Sequence, residues 1–309
     1  MISKVSIKGF RGLNVEAGLK KANVVVGKNG TGKTSFLEAI FLSSLFYSDY
    51  SENEINDLVT YTFLSRGNIF SSYLTIENAE ISMWNDNEEL KIIFKRKDPH
   101  TLHVLYPELK EPIAKIEAKP LNFQFFLGIN ISGGWPLITF EHQLEKKGVF
   151  PVYLSTHFES YGVPEKIVSY ARNKGIKSSF EILQDAYGFF TLHEIKGNKA
   201  IPAYVIGRGI LKKELIVDSF SYASLVLIDE IEDSLHPDMV IEVLKKMKES
   251  NAQVIFTTHS NEVIEFMTNI FEDNEVNIIS LFKSGEYKVY PKMSLFKDLE
   301  KPLGWIGYL

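Results

Sequence analysis

"ANVVVGKNGTGKTSFLEAI", residues 22–40, decides how the rest of the chain is read. It opens with an apolar run closed by glycine, the composition of a strand buried on both faces. It ends with Phe36, Leu37 and Ile40 at helical spacing. Between them, residues 27–34 fit G-x-x-x-x-G-K-[ST]. A strand, a glycine loop and a helix in that order form an anion trap. Gly27, Gly30 and Gly32 let the backbone curl so that its N–H groups face a phosphate, and the helix N-terminus adds a favourable dipole. The loop residues Gly27, Asn29, Gly30, Thr31 and Gly32 are therefore candidate phosphate binders. Lys33 is placed to reach the β- and γ-phosphates of a nucleotide, and Thr34 to ligate Mg2+.

A magnesium–nucleotide site needs a carboxylate opposite that threonine. "LVLIDEIEDSLHP", residues 225–237, supplies a second buried strand that runs into four acids. Asp229, at the strand end, is the candidate metal ligand. Glu230 points to the other side of the tip, where an acid can polarise water for in-line attack on a γ-phosphate. Glu232 and Asp233 lie beyond the strand and are expected in a solvated loop or an interface. His236 is expected to cap or pack at the start of the following helix. A third buried strand, "QVIFTTHS" (253–260), carries His259 just past its end, able to hydrogen-bond a γ-phosphate or its attacking water.

The chain has 309 residues, 45% hydrophobic and 24% charged, the balance of a soluble globular protein. Its formal net charge of −5 argues against a general polyanion binder, so contact with nucleic acid would need a local basic surface or a partner. "FKRK" (94–97) and "LKK" (211–213) are weak hints, expected to be solvated lysines. The absence of cysteine excludes disulfides and thiolate chemistry and fits a cytoplasmic protein. No signal-peptide pattern opens the chain, and no stretch reaches the ~18 apolar residues of a membrane span. Residues 2–10 read as a strand, and 73–115 as an antiparallel sheet. Residues 120–160 read as strand-like with a break at "SGGWP", and 164–187 as helical. A glycine turn and helix span 207–224, and a hairpin turns at Ser284-Gly285. Residues 48–72 carry no clear pattern. The class is α/β, with a parallel core at both ends of the chain and an antiparallel insertion between them.

"GKNGTGKT", "LVLIDE" and "TTH" stand in the order of the ATP-binding-cassette ATPases, which this chain resembles. "ISKVSIKGFRGL" and "LIDEIEDSLHP" narrow the resemblance to the branch of RecF, the SMC proteins and the OLD-family ATPases. It covers roughly residues 1–42 and 203–268. The implied fold is an ABC-ATPase-like P-loop NTPase with a parallel core sheet, an antiparallel β subdomain and a helical lobe. It would be one domain over 1–309, with its nucleotide-binding core at 1–47 and 203–290 and inserted subdomains at 48–202. The implied cofactors are ATP and Mg2+. Lys33, Thr34 and Ser35 would hold phosphates and metal, Asp229 the magnesium, Glu230 would be the catalytic base and His259 the switch histidine. Arg11 would lie near the nucleotide.

Two departures stand out. Where the family signature places a serine before its glycines, "IGRGILKKE" offers Gly207, Arg208 and Gly209, whose backbone N–H groups and charge could meet a partner's γ-phosphate. No glutamine can be assigned to the Q-loop; Gln124 and Gln143 qualify only by type. The resemblance implies a homodimer sandwiching two ATPs, closing on binding and loosening on hydrolysis. Coiled-coil arms are missing, and the fifty residues after His259 are short for the Toprim domain of OLD proteins. The expected role is an ATPase acting in DNA repair, chromosome handling or defence against mobile elements. The alternative is an ATP-gated scaffold for a separate nuclease or other effector without DNA contact, for which "LGWIGYL" (303–309) is a candidate docking tail. A membrane-transporter subunit is disfavoured by the acidic strand end and the "FRG" opening.

Overall fold

The computed structural model describes residues 1–64, 76–85, 88–98, 101–124, 130–142, 144–155, 168–169, 171–173, 175, 177–184, 188 and 190–292. The strands in chain order are β1 (Ile2–Phe10), β2 (Leu13–Gly18), β3 (Ala22–Gly27), β4 (Asn78–Asn85), β5 (Glu88–Asp98), β6 (Thr101–Leu105), β7 (Ala114–Gln124), β8 (Asn130–Phe140), β9 (Pro151–Leu154), β10 (Phe180–Gln184), β11 (Phe190–Lys196), β12 (Lys199–Pro202), β13 (Leu225–Ile228), β14 (Gln253–Thr258), β15 (Val276–Leu281) and β16 (Tyr287–Tyr290). The helices are α1 (Lys33–Leu45), α2 (Glu52–Leu64), α3 (Arg208–Ser219), α4 (Pro237–Glu249) and α5 (Asn261–Ile270). The chain divides into two compact units. One comprises Met1, Leu19–Lys33 and Phe150–Leu309, and the other Ile2–Gly18 and Thr34–Val149.

The first unit is built on a six-stranded sheet ordered β16-β15-β3-β14-β13-β9, parallel except for β16. Strands β3, β13, β14 and β15 are buried along their whole length, as continuous apolar runs in a parallel sheet must be. Register then decides what meets at the sheet edge. Ile228 pairs with Phe256, and Thr258 with Val26. The residues following β3, β13 and β14 therefore emerge side by side at the carboxyl edge, where open α/β sheets bind ligands. Helix α4 buries Val240, Val243, Leu244 and Met247 and packs against both α3 and α5. His236 is its N-cap, accepting from the Asp238 N–H, with Pro237 in the first turn.

The second unit carries a seven-stranded antiparallel sheet ordered β2-β1-β4-β5-β6-β7-β8. Arg11 and Gly12, both at positive φ, turn β1 into β2 as a two-residue hairpin whose twist suits the strands. Helix α1 is buried on nearly every side from Phe36 onward, so its sequence is apolar all round.

Three sequence-based expectations are corrected. Phe180–Gln184 is a strand paired with β11, not part of a helix, since apolar residues at 180, 182 and 183 satisfy either period and the partner strand decides. "SGGWP" does not break the sheet; it lies inside β8, paired with residues of β7. The unplaced stretch after residue 48 contains α2, opened by a capping box. There the Ser51 N–H donates to Glu54 Oε2 at 2.7 Å, while Oγ of Ser51 accepts from the Glu54 N–H at 3.4 Å. The expected hairpin at Ser284-Gly285 is present as β15–β16. Residues 303–309 and Gln143 lie outside the described residues, and Gln124 ends β7. We expect Ser51→Ala to cost about 1 kcal/mol, read as a lower urea midpoint with an unchanged m-value.

Candidate active site

The glycine loop connects β3 to α1. Gly27, Gly30 and Gly32 all have positive φ, and a Cβ on Gly27 would collide with the Leu281 carbonyl and lie 2.6 Å from Thr31 Oγ1. No other residue fits there. Thr31 Oγ1 donates to the Lys28 carbonyl at 2.9 Å. The Lys33 ammonium folds back over the loop, donating to the carbonyls of Gly27 at 2.9 Å and Lys28 at 3.2 Å. Burial pushes that ammonium below the usual lysine range, while Asp229, Glu230 and Glu232 pull it the other way. Thr34 and Ser35 follow in the first turn of α1.

At the end of β13 the two adjacent acids are held by one hydroxyl. Thr257 Oγ1 donates to Asp229 Oδ1 at 2.7 Å and accepts from the Glu230 N–H at 2.7 Å. Asp229 is buried, and its own N–H bonds to the Leu154 carbonyl. Glu230 then adopts φ 48, a left-handed conformation uncommon for a residue with a side chain. Its Oε1 lies 3.0 Å from His259 Nε2. The hydrogen bond from His259 outweighs partial burial and holds this carboxyl below its ordinary value, helped by the charges of His259, Lys33 and Lys212. The carboxylate is thus anionic near neutrality, as a water-polarising base requires.

His259 is fixed in turn. Its backbone N–H donates to Glu232 Oε1 at 2.6 Å. Glu232 was expected in a solvated loop, and the structure corrects this: it bridges the acidic turn to the residue after β14. Asp233 stays at the surface, as expected, in an exposed ion pair with Arg208 at 3.3 Å. "LKK" is not a solvated patch, because the Lys212 side chain is largely covered against the same turn, donating to main-chain carbonyls. Thr257 and Lys212 are the residues that sequence reasoning passed over. A threonine inside an otherwise apolar buried run was the available signal for the first; nothing local marked the second.

The remaining candidates fall in two places. Gly207 is the N-cap of α3, and Arg208 and Gly209 form its first turn, so close to the acidic turn that a Cβ on Gly209 would strike the Ser234 carbonyl. In the second unit, Arg11 makes a buried ion pair with Glu38 of α1.

Residues 22–265 match the family described as AAA domain, putative AbiEii toxin, Type IV TA system. The chain belongs to that family. It carries an AAA-type P-loop ATPase domain and is an enzyme that hydrolyses ATP. It is similar to an "ATP/GTP phosphatase" of Helicobacter pylori (strain ATCC 700392 / 26695), 23% identical with 97% of each chain covered. Among solved structures it is similar to an SMC head bound to the C-winged helix domain of ScpA (16% identity, TM-score 0.48, 94% of this chain and 96% of that one). It is also similar to the SMC head domain from Thermotoga maritima (12% identity, TM-score 0.41, 94% and 98%). Among the described residues, no helix is long and apolar enough to cross a membrane.

Thr257→Val should leave Asp229 and the Glu230 N–H without their shared partner, costing roughly 1–3 kcal/mol in chemical denaturation. His259→Ala removes the largest influence that lowers the Glu230 pKa. Activity carried by an ionised base is present above its pKa and lost below it, so the acid limb of the residual ATPase rate should move to higher pH.

Proposed function

We propose that this chain is an ATP-driven dimerisation switch. The observation that carries the reading is the meeting of Lys33, Asp229, Glu230 and His259 at one sheet edge, with the Gly207–Gly209 turn docked on the acidic turn of the same site. In this reading Gly27, Asn29, Gly30, Thr31, Gly32, Lys33, Thr34 and Ser35 bind the phosphates of ATP. Asp229 and Thr34 offer hard oxygen donors of the kind Mg2+ accepts beside phosphate oxygens, and the ion would neutralise charge on the transferring phosphoryl group. Glu230 orients and deprotonates the attacking water, and His259 senses the γ-phosphate. The glycine turn of one subunit meets the γ-phosphate held by its partner. Tyr204, Val205 and Ile210, exposed at 70%, 61% and 40%, flank that turn and favour burial against a second copy.

The output we favour is control of a DNA-associated process, with defence against mobile elements supported by the family description, which names a toxin–antitoxin system. The same description supports the second reading, an ATP-gated regulator of a separate effector that never touches DNA. The net charge of −5 favours the second reading as a matter of electrostatics.

Lys33→Ala should abolish ATP binding in equilibrium titrations. Glu230→Gln should bind ATP yet lose turnover by 10²-fold or more, on the order expected for a removed general base, and elute as a dimer only when ATP is present. Turnover of Glu230→Gln at the wild-type rate would rule out the base assignment. Stimulation of the wild-type ATPase by duplex or single-stranded DNA separates the two outputs: stimulation supports the first, and its absence together with a co-purifying protein supports the second.

A further inference from the structure

Lys212 sits one helical turn beyond Arg208 on α3, and its side chain is 11% exposed. Its ammonium donates to the Glu230 carbonyl at 2.8 Å and to the Asp233 carbonyl at 2.9 Å, with Asp233 Oδ2 at 3.9 Å. Both short contacts are to main chain. They fall at the two ends of a turn whose first residue, Glu230, has φ 48, and which is followed by Ser234 at φ 63. A left-handed glutamate swings its carbonyl out of line with the strand before it; the Asp233 N–H, at 2.9 Å, closes the turn on that carbonyl, which has a second lone pair open to another donor. Lys212 supplies one. Arg208, four residues earlier and so on the same helix face, binds Asp233 Oδ2. Gly209 lies against the Ser234 carbonyl with no room for a Cβ. The first two turns of α3 are thus seated on the acidic turn at three points.

We infer that Lys212 is a positioning residue for hydrolysis: it clamps the backbone of Glu230 so that the carboxylate stays on His259, and it ties α3 to that carboxylate within one chain. The inference rests on Glu230 being the base. It adds a route by which an anion bound at the Gly207–Gly209 turn of one subunit is felt at that subunit's own catalytic glutamate, through one lysine rather than across the dimer. A lysine merely filling space would be replaceable by any side chain of similar length. A clamp needs donors.

The test compares Lys212→Met, Lys212→Arg and Lys212→Gln in the full chain, measuring steady-state ATP hydrolysis and the Kd of a fluorescent ATP analogue. Lys212→Met should lower kcat on the order of 10- to 100-fold, the scale of a misplaced catalytic group, with Kd unchanged within about twofold. Lys212→Arg, which keeps several donors, should restore most of the rate. Adding Lys212→Met to Glu230→Gln should slow it no further, since the effect runs through the glutamate. Wild-type kcat in Lys212→Met, or an equal slowing in the Glu230→Gln background, overturns the inference. If Lys212→Met does not fold, Lys212→Gln and Lys212→Arg decide: equal rates in both overturn it, and a faster arginine variant supports it. A slow Glu230→Gln with a fast Lys212→Met defeats the clamp alone, whereas a fast Glu230→Gln defeats the base assignment and the clamp with it.

Discussion

One hydroxyl organises the reactive edge. Thr257 Oγ1 stands between the carboxylate of Asp229 and the backbone N–H of Glu230, donating to the carboxylate and accepting from the N–H. It can do so only because β14 runs parallel to β13 with Ile228 opposite Phe256, which puts the next residue of each strand in reach. Two adjacent acids at a strand tip would otherwise repel and fray into solvent. Bridged by Thr257 they divide: Asp229 stays buried, while Glu230 turns toward His259. The positions of Lys33, Glu232 and His259 gain their chemical meaning from that division.

Much of the core was legible because parallel strands buried on both faces write themselves as unbroken apolar runs. "ANVVVG", "LVLI" and "QVIFTT" had no competing reading once the glycine loop stood between a strand and a helix. The family match over residues 22–265 agrees with that order. Elements outside the core were harder. The apolar residues of Phe180–Gln184 fit two periods, and only pairing with β11 resolves them. Helix α2 was missed although Ser51 and Glu54 spell a capping box, because the mixed residues after them show no clear face. Within the site, Glu232 and Lys212 looked like ordinary surface charges, and Asp233, which is one, gave no sign of its partner. Their partners lie roughly twenty residues or more away in sequence, at the N–H of His259, the guanidinium of Arg208 and the carbonyls of the acidic turn. A charge run is read locally, but whether it is solvated is decided by the elements that close over it.

The electrostatic balance of the edge follows. Asp229, Glu230, Glu232 and Asp233 gather around a turn with two desolvated lysines. Lys33 follows the glycine loop at the start of α1, and Lys212 comes from α3 beside the turn. They differ in what they hold. Lys33 rests on carbonyls of the glycine loop, while Lys212 holds the carbonyls of the turn that carries Glu230, the proposed base. One cation is available to a ligand, and the other belongs to the scaffold.

Glu230 itself occupies a backbone conformation that glycine adopts freely and that costs other residues on the order of 1–2 kcal/mol. Glycine at this position would relax the turn and remove the carboxylate in the same stroke. If Glu230 is the base, as proposed, stability and turnover are in opposition at a single residue, and a search for more robust variants of this protein would be drawn toward the one exchange that silences it.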